Sequence, residues 1–210
     1  NTCALAERMG HYQAPGVSVA VIDEYKLDWV KGYGVRTSDG GEAVTTQTLF
    51  HAGSVAKSIS AAATLTLVEQ GLLNLDDDVN KRLISWRVQE NEYTRVEKVT
   101  LRRLLSHSAG LKDGLTDRGP DEPMPTYITF GNEVPGATLR QLLEGIPEDD
   151  MEPTRVVNVP GTSYRYANAD YAILELLVED RLGQPFEDFM QATVLDRLGI
   201  DGRIVAAPFA

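Results

Sequence analysis

The 210 residues carry 20 Lys+Arg against 31 Asp+Glu, a net charge of −11, with 42% hydrophobic and 24% charged content. That charge excludes a nucleic-acid partner or a polybasic membrane contact, and the composition and length support a globular core without staples. No stretch nears the roughly 18 uninterrupted apolar residues of a membrane span, and the single Cys3 excludes an internal disulfide or a multi-cysteine metal cluster, so the chain reads as soluble.

The chain opens on Asn1 rather than Met, from which the reading expects that something upstream was removed; the compartment stays open. From Pro15 to Gly34, Val17, Val19 and Val21 alternate with smaller residues, Asp23-Glu24-Tyr25-Lys26 supplies a polar turn, and Leu27, Trp29 and Tyr33 follow. This predicts a β-hairpin, with Gly32-Tyr33-Gly34 as a strand end rather than a dinucleotide loop. Two strands alone are marginal, so the pair needs further elements to pack on.

From Ser54 to Gln70 the apolar residues recur near helical spacing, and Gly71 is placed to close the helix in the left-handed conformation. Asp76-Asp77-Asp78 lacks the spacing of a calcium loop and reads as a turn or helix start. Thr100–Leu105 and Thr138–Leu143 spell nearly the same short helix, each opened by a Thr cap. Between and after them, Asp113–Gly136 and Gly145–Pro160 are long connections of the kind that shape binding sites. Two more helices are predicted, about Ala169–Leu182 closed by Gly183, and about Pro185–Leu198 with Pro185 in the first turn and Gly199 after the end. Arg203–Ala207 has the character of a strand start. Trp29 and Trp86 read as core or groove residues.

Ser54-Val55-Ala56-Lys57 puts a hydroxyl and an amine on one face at a helix start, within a turn of each other. A serine becomes nucleophilic when a neighbouring base takes its proton, and a lysine serves when burial or a nearby cation keeps it neutral. The plainer alternative is a helix-capping Ser54 followed by a solvated Lys57. Tyr166-Ala167-Asn168 follows the turn residues Pro160-Gly161-Thr162-Ser163 and precedes a helix. A tyrosine beside a lysine can relay a proton, and an asparagine offers donor and acceptor to a substrate; alternatively Tyr166 packs on the core and Asn168 caps the helix. His11, His51 and His107 share no metal-ligand spacing, and His51 and His107 read as satisfying local hydrogen bonds.

Gly16-Val17-Ser18-Val19-Ala20, Thr48 to Ser58, Leu67 to Asp77, Leu104-Leu105-Ser106-His107-Ser108-Ala109-Gly110-Leu111, and Pro160-Gly161-Thr162 leading to Tyr166-Ala167-Asn168 occur in that order. Together they resemble the serine β-lactamase and penicillin-binding-protein superfamily, in the branch of class C β-lactamases, D-amino-acid peptidases and family VIII carboxylesterases. The likeness spans about Pro15 to Gly199. It implies an α+β fold of the β-lactamase/transpeptidase type. Residues 1–50 would carry the N-terminal strands of an antiparallel sheet, and 51–210 a helical region with the nucleophile helix and the Tyr-x-Asn loop. It further implies Ser54 as the acylated nucleophile, Lys57 as its proton partner, Tyr166 as the second acid/base and Asn168 as a substrate-amide contact. The backbone N–H of Ser54, with one from a neighbouring strand, would form the oxyanion hole. The expected substrate is a small ester, β-lactam or peptide, with no metal and no organic cofactor.

The superfamily also carries Lys-Thr-Gly or His-x-Gly on a later strand, and residues 169–210 hold no such triplet. Lys112-Asp113-Gly114 and His107-Ser108-Ala109-Gly110 echo it but precede the tyrosine motif, so chain order excludes them. The sheet is therefore expected to be incomplete, to be finished by a complementing chain or by self-association. The alternative reading is a non-catalytic ligand-binding or assembly form of the same fold.

Overall fold

The computed structural model describes residues 4–50, 52–112, 138–146 and 152–200. They fall into two compact units, Asn1–Ala52 and Gly53–Ala210.

The first unit holds a short helix α1 (Leu5–His11) and two strands, β1 (Gly16–Asp23) and β2 (Lys26–Gly34). They pair antiparallel, Gly16 opposite Gly34 and Asp23 opposite Lys26, with a bulge between Val21 and Ile22. Glu24 and Tyr25 make the reversal with φ of 44° and 62°, the left-handed twist that a two-residue hairpin loop demands. The hairpin matches its expected span, and the Gly-Tyr-Gly triplet ends β2. Of the two places expected for Trp29, core or groove, its 43% exposure excludes the core, since a two-stranded ribbon does not bury its own faces.

The second unit opens on a 3₁₀ turn, Gly53–Val55, before α2 (Ala56–Glu69). Ser54 is therefore not the helix cap: Val55 holds that position without a side-chain bond. At the other end Gly71 adopts φ +70°, and the Gly71 and Leu72 N–H groups bond the Val68 and Leu67 carbonyls at 3.0 and 2.9 Å, closing the helix as expected. The acidic triplet is a turn and cap: Asp78 accepts from Asn80 N–H at 3.0 Å, and Asp76 takes a bidentate grip on Arg102 at 2.7 and 2.8 Å.

Next come α3 (Glu92–Val96), α4 (Leu101–Leu105), β3 (Leu111–Lys112), α5 (Leu139–Glu144) and β4 (Arg155–Val156). Thr100 and Thr138 cap α4 and α5 as predicted, the second in a reciprocal capping box with Gln141. β3 and β4 pair antiparallel, Leu111 opposite Val156. Gly110 makes that pairing fit: its φ is +72°, and a Cβ there would stand 2.4 Å from the Asn158 carbonyl oxygen. Then α6 (Asn168–Leu182) runs to the left-handed Gly183. Finally α7 (Phe186–Met190) passes through a π turn at Gln191–Leu195 into α8 (Asp196–Leu198), closed by Gly199. Pro185 is the cap residue of α7, at ψ 145°, rather than part of its first turn.

The core is built around α6. Ile173, Leu174, Leu177 and Val178 are at most 2% exposed, packed with Ala63 and Leu67 of α2, Leu101 and Leu104 of α4, and Phe186, Phe189 and Met190 of α7. Each such side chain contributes about 1.5–3 kcal/mol of burial. Trp86 belongs to this core as expected. His51, Asp113–Gly136, part of Gly145–Pro160 and Arg203–Ala207 lie outside the described residues.

Candidate active site

Gly53 stands at φ +53° with nothing near the place of a Cβ, so backbone conformation rather than space calls for glycine there. The turn it makes leaves Ser54 exposed just ahead of α2, whose first turn carries Lys57. Lys57 Nζ lies 3.4 Å from Ser54 Oγ. From 112 residues further along the chain, Tyr166 brings its Oη to 2.9 Å from the same Oγ. Asn168, the first residue of α6, accepts a hydrogen bond from Lys57 Nζ on Oδ1 at 2.8 Å, and Tyr166 Oη donates to that oxygen at 3.4 Å. All four side chains singled out in the sequence meet at one place.

The plainer roles do not hold. Ala167 caps α6 without a side-chain bond, so the Asn168 amide is turned to Lys57 rather than to its own helix. Tyr166 is 37% exposed and not a core residue.

Three further residues surround the quartet that sequence reading did not assign to it. The His107 backbone N–H makes the expected local bond, to the Leu104 carbonyl at 3.2 Å, but its side chain reaches further: Nδ1 lies 2.6 Å from Oδ2 of Asp170, 63 residues away, and the Asp170 side chain is 1% exposed. The His107 ring centroid is 4.4 Å from that of Tyr166 and 5.4 Å from that of Tyr171. Tyr171 also turns its ring to Lys57, whose Nζ lies 5.6 Å from its centroid and 5.2 Å from that of Tyr166, both within cation–π range. Burial first, then the neighbouring Asp170 and Tyr166, hold the Tyr171 hydroxyl above the ordinary phenol range. A signal existed for Tyr171: three residues after Asn168 on a helix, it shares that residue's face. His107 had one too, its place in the ordered segment Leu104–Leu111, whereas its pairing with Asp170 had none, since nothing in sequence links residues so far apart.

Chemically, the site offers an exposed hydroxyl with an amine and a phenol in reach, two groups of the kind that exchange protons, and an amide beside them. Among the described residues, no three His, Cys, Asp or Glu side chains converge as a metal site, and no helix is long and apolar enough to cross a membrane.

The model of the family described as Beta-lactamase matches residues 4–202. The chain is 30% identical to penicillin-binding protein 4 of Amycolatopsis lactamdurans over 191 residues, covering 90% of this chain and 44% of that protein. It is 29% identical to a beta-lactamase of Pseudomonas fluorescens over 193 residues, covering 92% and 46%. Among solved structures, the octameric penicillin-binding protein homologue from Pyrococcus abyssi aligns with a TM-score of 0.68 at 28% identity, over 94% of this chain and 42% of its own. The chain thus spans less than half the length of each of these relatives. The likeness, with the two short antiparallel pairs and the helical unit, agrees with the expected α+β fold and its incomplete sheet.

Proposed function

The chain belongs to the beta-lactamase family, and on that footing we propose that it is a serine hydrolase that acylates Ser54 from a small ester or amide, β-lactams and D-peptides included, and releases the acyl group to water. The observation that carries this reading is the 2.9 Å approach of Tyr166 Oη to Ser54 Oγ across 112 residues.

In this mechanism Ser54 Oγ attacks the carbonyl carbon. Its proton passes to the Lys57–Tyr166 pair in the form that lacks one proton: Tyr166, the nearer at 2.9 against 3.4 Å, takes it from Oγ and the pair as a whole gains one proton. The Ser54 backbone N–H supplies one donor to the oxyanion that forms. As the carbonyl re-forms, the bond to the leaving oxygen or nitrogen breaks and the pair returns the proton to it. Water then attacks the Ser54 ester, gives a proton to the same pair, and Ser54 leaves with that proton restored. Asn168 holds Lys57 by Oδ1 and turns its amide N–H groups to the substrate's acyl side.

A panel of a chromogenic cephalosporin, a D-alanyl amide and a p-nitrophenyl ester tests the proposal. It expects turnover of at least one, abolished in Ser54→Ala. Turnover that persists in Ser54→Ala contradicts it.

A further inference from the structure

The contacts of His107 converge on one residue. Its backbone carbonyl accepts from the Arg165 N–H at 2.7 Å, so it grips the chain just ahead of Tyr166, and the Ala167 N–H lies 3.5 Å from its Nδ1. Its ring lies beneath the Tyr166 ring at a centroid distance of 4.4 Å. The backbone that presents this ring is left-handed, φ +53°, a conformation that costs a non-glycine residue about 1 kcal/mol or more and persists where its surroundings impose it. Asp170 is what fixes the ring: the carboxylate is buried in the first turn of α6, and at 2.6 Å it accepts the Nδ1 proton and sets both tautomer and orientation. Between the two contacts to Nδ1 the shorter one decides, since one nitrogen cannot donate to Asp170 and accept from Ala167 at once.

We infer that His107, held by Asp170, is the positioning residue for Tyr166, fixing the phenol over Ser54 so that the rate of acylation, and not the binding of substrate, depends on it. The inference rests on the proposed role of Ser54 and Tyr166. Neither His107 nor Asp170 touches Ser54; both act through the tyrosine. The other rings facing the imidazole are Tyr164, edge-on at 6.1 Å, and Tyr171 at 5.4 Å. A misplacement of about 1 Å at a reacting centre costs on the order of 100-fold in rate, which sets the scale of the effect.

The test follows covalent capture of Ser54 by a fluorophosphonate over a range of probe concentrations, read by intact mass, in four proteins: wild type, His107→Gln, Asp170→Ala and Asp170→Asn. His107→Gln keeps a donor for Asp170 and removes the ring beneath Tyr166; it is expected to lower the maximal labelling rate ~10–100-fold, with the half-saturating probe concentration nearly unchanged. Asp170→Ala is expected to do the same, and Asp170→Asn, which keeps an oxygen for the imidazole N–H, to recover most of that loss. His107→Gln labelling at the wild-type maximal rate, or Asp170→Asn as slow as Asp170→Ala, overturns the inference. A second readout needs no reaction: in protein carrying ¹³C at tyrosine Cζ, His107→Gln is expected to shift the Tyr166 signal, assigned with Tyr166→Phe, and to leave that of Tyr93 in place. Should the wild type take no label, the role of Ser54 fails and this signal alone decides the inference: a shift supports the positioning, and an unmoved Tyr166 signal overturns it.

Discussion

Lys57 Nζ donates to Asn168 Oδ1 at 2.8 Å, a shorter contact than the one it makes with Ser54. One amide side chain thus fixes the position of the amine, and in the proposed mechanism it also faces the substrate. Asn168→Ala removes both functions and is expected to lower kcat/KM ~10–100-fold, the scale of one hydrogen bond to a charged group. Steady-state kinetics on the responsive substrate checks this; an unchanged kcat/KM rules out the shared role.

Tyr166→Phe deletes only the oxygen 2.9 Å from Ser54 Oγ and keeps the ring against His107 and Lys57. It is expected to slow Ser54 acylation ~100–10,000-fold, the usual worth of a positioned acid/base group, with thermal stability little altered. Stopped-flow or mass-resolved labelling gives the rate, and differential scanning fluorimetry the stability. A variant that acylates at the wild-type rate removes Tyr166 from the proton path.

Burial pushes the Glu175 carboxyl of α6 up to about 8, with Glu179 and Glu187 adding to the effect. The unfolded carboxyl ionises near its ordinary 4.5, so between that pH and about 8 the unfolded state binds fewer protons than the native one. Stability contributed by the protonated native form is therefore present in full below pH 4.5 and lost as the pH rises toward 8. Glu175→Gln, shaped like the neutral acid, is expected to raise Tm more at pH 8 than at pH 5. Equal shifts at the two pH values contradict the raised value.

Leu104 of α4 is 0% exposed and packs into the cluster around α6. Leu104→Ala is expected to destabilise the fold by about 2–5 kcal/mol through lost burial and the cavity left behind. Urea unfolding measures it, and a loss under ~1 kcal/mol places Leu104 outside the core that supports the site.

What could be read from the sequence was what is local. The hairpin showed in the alternation of Val17, Val19 and Val21, and the two Thr-led helices in their caps, because these signals lie within a few residues of one another. Ser54 and Lys57 were legible for the same reason, and Tyr166 and Asn168 through the ordered motifs that accompany them. The β3–β4 pairing was not, since two-residue strands show no alternation, and Gly110 gives no sign that Asn158 will approach it. The boundary of α2 slipped because a 3₁₀ turn and the first turn of an α-helix look alike in sequence, which moved Ser54 off the cap. His107 was read as local because its partner Asp170, 63 residues away, meets it only once α4 and α6 have packed.

The central claim is that Ser54 is the nucleophile, and the most direct measurement is the intact mass of the folded protein after incubation with a penicillin or a fluorophosphonate. The account predicts one added acyl or phosphonyl group, mapped to the peptide containing Ser54 and absent from Ser54→Ala. An unmodified mass from folded wild-type protein, or an adduct that persists in Ser54→Ala, contradicts it.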